Sequence, residues 1–200
     1  MKNIILGLAI AATTLAACNN NSNKSTESQN VSNNTHAISQ TDNATITTSS
    51  VADAKNTVSI KEIVSTYLQL KNALTKDNST DAATAGTTLE AAFKNFDKTA
   101  LTAAQKKTFE DVEDDAREHA EHIGKNGGNI IHQREHFEIL SKDMYDLVKT
   151  FGGGQVLFKV FCPMYNNGKG AFWLSETKEI KNPYMGKAMP TCGTIQEELR

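Results

Sequence analysis

The sequence predicts a mainly α fold: an antiparallel four-helix bundle followed by an irregular C-terminal segment containing a short β-hairpin. Three observations lead there. Between residues 59 and 151, apolar residues recur at helical spacing in four stretches separated by short polar breaks. Helix-capping residues stand where the second and third stretches begin. After Gly152-Gly153-Gly154 the helical period stops and short runs of β-forming residues take over.

The first helix is expected from Ser59 to Thr75, on a stripe of Ile60, Ile63, Val64, Tyr67, Leu68 and Leu74, with Lys71 snorkelling at its edge. Asp77-Asn78-Ser79 ends it and caps a second, Ala/Thr-rich helix from Thr80 to Phe96. Thr102 and Gln105 form a capping box for a third helix, which runs to Ile123 with Gly124 as its stop. Asn126-Gly127-Gly128 turns the chain into a fourth helix, Asn129 to Phe151. Val156–Phe161 and Ala171–Leu174 then read as strands around the turn Asn166-Asn167-Gly168, and Ile195–Leu199 as a closing helical turn.

The N-terminus reads as an address. Lys2 precedes a short apolar run, Ile4–Ala12, and Leu15-Ala16-Ala17-Cys18 looks like a bacterial lipobox. That likeness implies cleavage of residues 1–17 as a lipoprotein signal peptide and acylation of Cys18, giving a lipid anchor in the bacterial cell envelope. Residues 18–56 then form a polar tether: Asn, Ser and Thr supply 22 of the 38 residues from 19 to 56, too little apolar surface to fold. As a coil that tether reaches roughly 35 Å. Residues 57–200 remain for the helical domain.

Composition removes several classes. Net charge is −2, from 21 Lys+Arg against 23 Asp+Glu, so no basic stripe suggests nucleic acid as a partner. Three Cys exclude a disulfide-dense scaffold. No glycine run precedes a Lys-Ser/Thr pair, and nothing marks an oriented base or an oxyanion hole beside a nucleophile, so an enzyme is not expected.

The candidate chemistry is metal ligation. Cys162-Pro163-Met164 and Met189-Pro190-Thr191-Cys192 each join a thiol and a thioether in a Pro-bearing loop. That donor pair prefers Cu(I), and zinc seldom uses Met. His119 and His122 on the third helix and His136 on the fourth lie at or beside the apolar stripes and can turn inward. His132, about 140° from Phe137 on a helical wheel, is expected to turn outward. The expected ligands are therefore His119, His122, His136, Cys162, Met164, Met189 and Cys192, with Cu(I) as the ion and Zn(II) behind it. A second reading stays open: Cys162 and Cys192 form a disulfide that staples a non-catalytic interaction module, whose docking surface is the Trp173 region.

Several motifs then occur in order: Glu121-His122-Ile123, Gln133-Arg134-Glu135-His136-Phe137, Leu140-Ser141, Cys162-Pro163-Met164, Trp173-Leu174-Ser175, Ile180 with Asn182-Pro183-Tyr184 and Gly186, and Met189 with Cys192-Gly193. Together they resemble the domain of unknown function 3347 family over residues 58–199. The resemblance implies heavy-metal binding and a relation to domains of copper/silver efflux adaptors. The expected function is thus a lipid-anchored, extracytoplasmic copper-binding protein, with the membrane as one partner through Cys18 and a metal-efflux protein as another.

Overall fold

A computed structural model of the chain describes residues 59–200. The signal peptide, Cys18 and the tether to residue 56 lie outside the described residues. Four helices come first: α1 (Lys61–Thr75), α2 (Ser79–Lys94), α3 (Ala103–Lys125) and α4 (Ile130–Phe151). Three strands follow, β1 (Leu157–Cys162), β2 (Ala171–Ser175) and β3 (Thr194–Leu199). The expected bundle is present, and the expected hairpin is two-thirds of a three-stranded antiparallel sheet ordered β2-β1-β3.

Local chemistry sets the helix ends. The Asn78 side chain accepts from the Asp81 backbone N–H and starts α2. Thr102 and Gln105 cap one another's backbone and start α3. The start of α2 lies against the end of α3, where Gly128 N–H donates to Ser79 Oγ at 3.1 Å. The end of α2 meets the start of α3 through Phe93, Phe96 and Phe109. Gly124 does not stop α3: it is helical, and a Cβ there would fall 2.6 Å from Thr87 Oγ1. Its small size lets α2 and α3 close on each other, so the residue serves packing rather than termination.

The sheet is tied to the bundle by a directed chain of hydrogen bonds. Leu174 N–H of β2 donates to the Tyr67 hydroxyl of α1 (3.1 Å). Tyr67 O–H donates to Ser141 Oγ of α4 (2.8 Å), and the Ser141 hydroxyl donates to the Phe137 carbonyl (2.8 Å). All four residues are buried. Lys71 does not snorkel: its side chain is 2% exposed, and its ammonium reaches Glu176 at 2.6 Å. Glu176, half-buried, stands just past β2, so this pair is a second tie between α1 and the sheet.

Two expectations in the C-terminal segment are corrected. Ile195–Leu199 is not a helical turn but most of β3, paired antiparallel with β1 from Leu157↔Leu199 to Phe161↔Thr194. The open edge of β1 offers more backbone hydrogen bonds than one isolated turn could supply. The exposed, acidic side of β3 then suits the edge of a sheet. Trp173 is fully buried beneath Gly193 and Tyr184 and cannot be a docking surface. The expected turn is present, with Asn166 and Asn167 in left-handed backbone and Gly168 following.

Candidate metal centre

Four of the five histidines meet across the α3–α4 seam. His119 and His122 are one turn apart on α3, and His132 and His136 one turn apart on α4. Antiparallel packing places the two pairs at the same level. His136 is the hub. Its Nδ1 lies 2.7 Å from His119 Nδ1 and its Nε2 lies 3.1 Å from His132 Nε2. The His122 ring lies parallel to it, with centroids 4.5 Å apart.

One ligand nitrogen from each of His122, His132 and His136 falls within a common span of 4.8 Å, and all three side chains are half-buried. Two nitrogens bound tetrahedrally to one ion stand about 3.3 Å apart at ordinary metal–imidazole lengths. The 3.1 Å between His132 and His136 is already close to that. The His122 ring must rotate out of its parallel stack before its in-plane lone pair can converge with the others. These three imidazoles could hold a metal ion.

Each of the remaining ring edges has a carboxylate nearby. Asp115 Oδ1 is 3.4 Å from His119 Nε2, Glu135 Oε2 is 3.4 Å from His132 Nδ1, and Glu118 Oε1 is 3.8 Å from His122 Nε2. Outer carboxylates of this kind orient metal-binding imidazoles. Glu90, Asp114, Glu118 and Glu121 also line a shallow acidic depression that opens beside His122. Burial pushes the His136 pKa down to about 4, and the neighbouring imidazoles push the same way. Its ring is therefore neutral at pH 7, the form a metal needs.

The structure brings His132 into this cluster, against the expectation that it turns outward. A wheel measured from the apolar stripe records only distance from the core. The i, i+4 relation of His132 and His136 puts both on the flank that α3 covers. That spacing, together with His119 and His122 at i, i+3, was the available signal.

The thiols and thioethers lie elsewhere. Cys162 is buried at the end of β1, and its Sγ is 2.7 Å from Cys192 Sγ. The hydrogen bond from Cys162, with burial, holds the Cys192 thiol above its ordinary pKa. Among the described residues, neither cysteine joins a group of three His, Cys, Asp or Glu ligand atoms. Met164 and Met189 are exposed, at 56% and 38%. On α4, His136 faces α3, while Glu138 takes a hydrogen bond from Asn166 and Tyr145 donates to Glu197 of β3. Positions 136 and 138 are about 200° apart on a helix. The imidazoles and the C-terminal donors thus occupy different flanks of α4. His119, His122 and His136 are brought together, Cys162 and Cys192 are brought together, and the two sets are not merged.

Residues 63–155 match the family model of DUF3347, described as a protein of unknown function. The matched segment takes in nearly all of α1, all of α2 to α4, and every histidine of the cluster. It ends before β1, so the DUF3347 match excludes Cys162, Met164, Met189 and Cys192, which the expected span of 58–199 had included. No curated protein and no solved structure matches the chain.

Proposed function

We propose that this DUF3347 domain binds a single copper ion through His122, His132 and His136, and that the protein holds copper at the cell envelope for handling or efflux. The observation that carries the reading is the convergence of three imidazole nitrogens within 4.8 Å. Imidazoles suit copper and zinc alike, but copper lies higher in the affinity order for nitrogen sites. The lipobox-like Leu15-Ala16-Ala17-Cys18 supports a lipid anchor, and the polar stretch after it supports a tethered domain. The reading needs no turnover, and a metal-efflux protein is the partner class that would take the ion.

The test is a competition titration of the chain against chelators of graded strength, with Cu(I) under reductant, Cu(II) and Zn(II) in parallel. One copper ion per chain is expected, bound more tightly than zinc. His122→Ala, His132→Ala and His136→Ala should each lower affinity at least tenfold with the helical signal intact. Full affinity in all three variants would dismiss the site.

A second reading concerns the cysteines. The 2.7 Å between their sulfurs favours a stapling disulfide over a copper-thiolate site. That reading is compatible with the first, because the staple and the histidines share no ligand.

A further inference from the structure

We propose that His119 is a positioning residue of the copper centre and not one of its ligands: it holds the His136 proton on Nδ1, leaving Nε2 bare for the ion. The proposal rests on the three-histidine reading above and assigns the role of the fourth imidazole in the cluster.

The two Nδ1 atoms of His119 and His136 face each other at 2.7 Å, a hydrogen-bond distance and well short of the roughly 3.3 Å between two nitrogens on one tetrahedral ion. One proton lies between them, so one ring donates and the other accepts. If His119 donated, its own Nε2 would be a bare lone pair facing the Asp115 carboxylate at 3.4 Å. Two acceptors would then oppose each other. If His136 donates, His119 carries its proton on Nε2 and points it at Asp115, and the lone pair left on His136 Nε2, which faces His132 Nε2 at 3.1 Å, goes to the ion in the loaded centre. With the ion on His136 Nε2 the one proton of that ring is on Nδ1, and Asp115 takes the proton of His119. The row reads Asp115, His119, His136, ion, and each member fixes the tautomer of the next.

The same rule extends to the other two ligands. Glu135 stands by Nδ1 of His132, which leaves Nε2 for the ion. Glu118 stands by Nε2 of His122, which leaves Nδ1. The centre is thus assigned two Nε2 ligands and one Nδ1 ligand. His119 differs from them in a second respect: its side chain is only 12% exposed, less than that of His122 or His132. It sits behind the hub.

The test compares wild type, His119→Ala, His119→Asn and Asp115→Asn in the full chain, loaded with Cu(II). Loss of an outer hydrogen-bond partner lowers metal affinity about 10–100-fold, and that range is expected for His119→Ala. Its Cu(II) electron paramagnetic resonance spectrum should keep the wild-type number of coupled nitrogens. His119→Asn should recover most of the affinity, because the Asn carbonyl oxygen sits near the Nδ1 position and accepts from His136. Asp115→Asn should fall between. Nitrogen-15 spectra of the Cu(I)-loaded chain should show His136 protonated on Nδ1 in the wild type. Loss of one coupled nitrogen in His119→Ala would make His119 a ligand and overturn the proposal, as would unchanged affinity in that variant. Wild type that takes up no copper would instead remove the centre itself, a result distinguishable from either.

Discussion

The Cys162 and Cys192 sulfurs lie 2.7 Å apart at one end of the β1–β3 ladder, just beyond its terminal pair Phe161↔Thr194. A bond between them would close a loop of about 30 residues containing β2, Tyr184 and Asn182, worth roughly 3–4 kcal/mol in the chain-entropy account. The loop is already ordered, since Asn182 Nδ2 donates to the Cys192 carbonyl and Arg134 Nε to the Pro183 carbonyl. The bond would therefore act on the unfolded chain more than on the native one. Cys162→Ser and Cys192→Ser should each lower stability by about 3 kcal/mol without reductant and much less with it. Urea melts in both conditions check this, and equal melts of wild type with and without reductant would show that the thiols stay apart.

Tyr67 should be one of the most sensitive single positions in the bundle. Its hydroxyl accepts from Leu174 N–H and donates to Ser141. Tyr67→Phe keeps the ring stacked on Phe137, with centroids 5.2 Å apart, but strands a buried amide of β2. An unsatisfied buried donor costs about 1–3 kcal/mol. Hydrogen exchange at Leu174 should quicken more than exchange within α2, which makes no use of the hydroxyl.

Much of this architecture was legible because it is local. Asn78, Thr102 and Gln105 announce helix starts through bonds made within three residues, and the apolar stripes need only a period of 3.6. The misses depend on neighbours. β3 carries Gln196, Glu197 and Glu198, which favour a helix in isolation, and becomes a strand because β1 has a free edge. Gly124 reads as a stop until α2 is seen against it. Cysteines, methionines and histidines share a tail-and-bundle arrangement in sequence, but only packing determines which flank of α4 the tail covers. The candidate centre is half visible for that reason: His119, His122 and His136 stand at or beside the apolar stripes, whereas His132 meets them only because α3 packs on that flank of α4.

The α3–α4 seam should respond to pH from both sides. His136 has its pKa lowered from 6.5 to about 4, chiefly by burial. Between those values the unfolded chain binds a proton the native state refuses, so stability falls as pH drops from 6.5 to 4. Asp143, also on α4, has its pKa raised from 3.8 to about 7 by burial and then by the charges of Asp115 and Asp146, and its Oδ2 has no hydrogen-bond partner among the described residues. There the native state keeps a proton the unfolded chain has lost, so stability falls as pH rises from 3.8 through 7. The two slopes oppose each other between pH 4 and 6.5. Asp143→Asn should therefore reveal the His136 slope on the acid side and remove the loss approaching pH 7. The quantity to follow is the pH slope of the urea midpoint, and an unaltered slope would count against burial of the carboxyl.

A close helix approach joins the fold to the centre. A Cβ on Gly86 of α2 would lie 2.8 Å from Gly124 N, 2.9 Å from Ala120 O and 2.9 Å from Ile123 Cγ2. Two of those atoms are backbone, so no rotamer change relieves the clash and α3 must move as a unit. Overpacking of this kind costs about 1–3 kcal/mol, against about 1 kcal/mol that Ala gains over Gly in a helix interior. Net destabilisation is expected for Gly86→Ala. The part of α3 that would be displaced, Ala120 to Gly124, contains His122 and adjoins His119. Gly86→Ala should thus weaken copper binding although Gly86 is no member of the cluster. Gly127→Ala is the control: its Cβ would meet only Ala83 Cβ at an ordinary 3.4 Å, and it should change stability by no more than about 0.5 kcal/mol. Thermal melts with paired copper titrations of the two variants separate the cases. Parallel behaviour of Gly86→Ala and Gly127→Ala would mean that the α2–α3 crossing does not set the position of the α3 histidines.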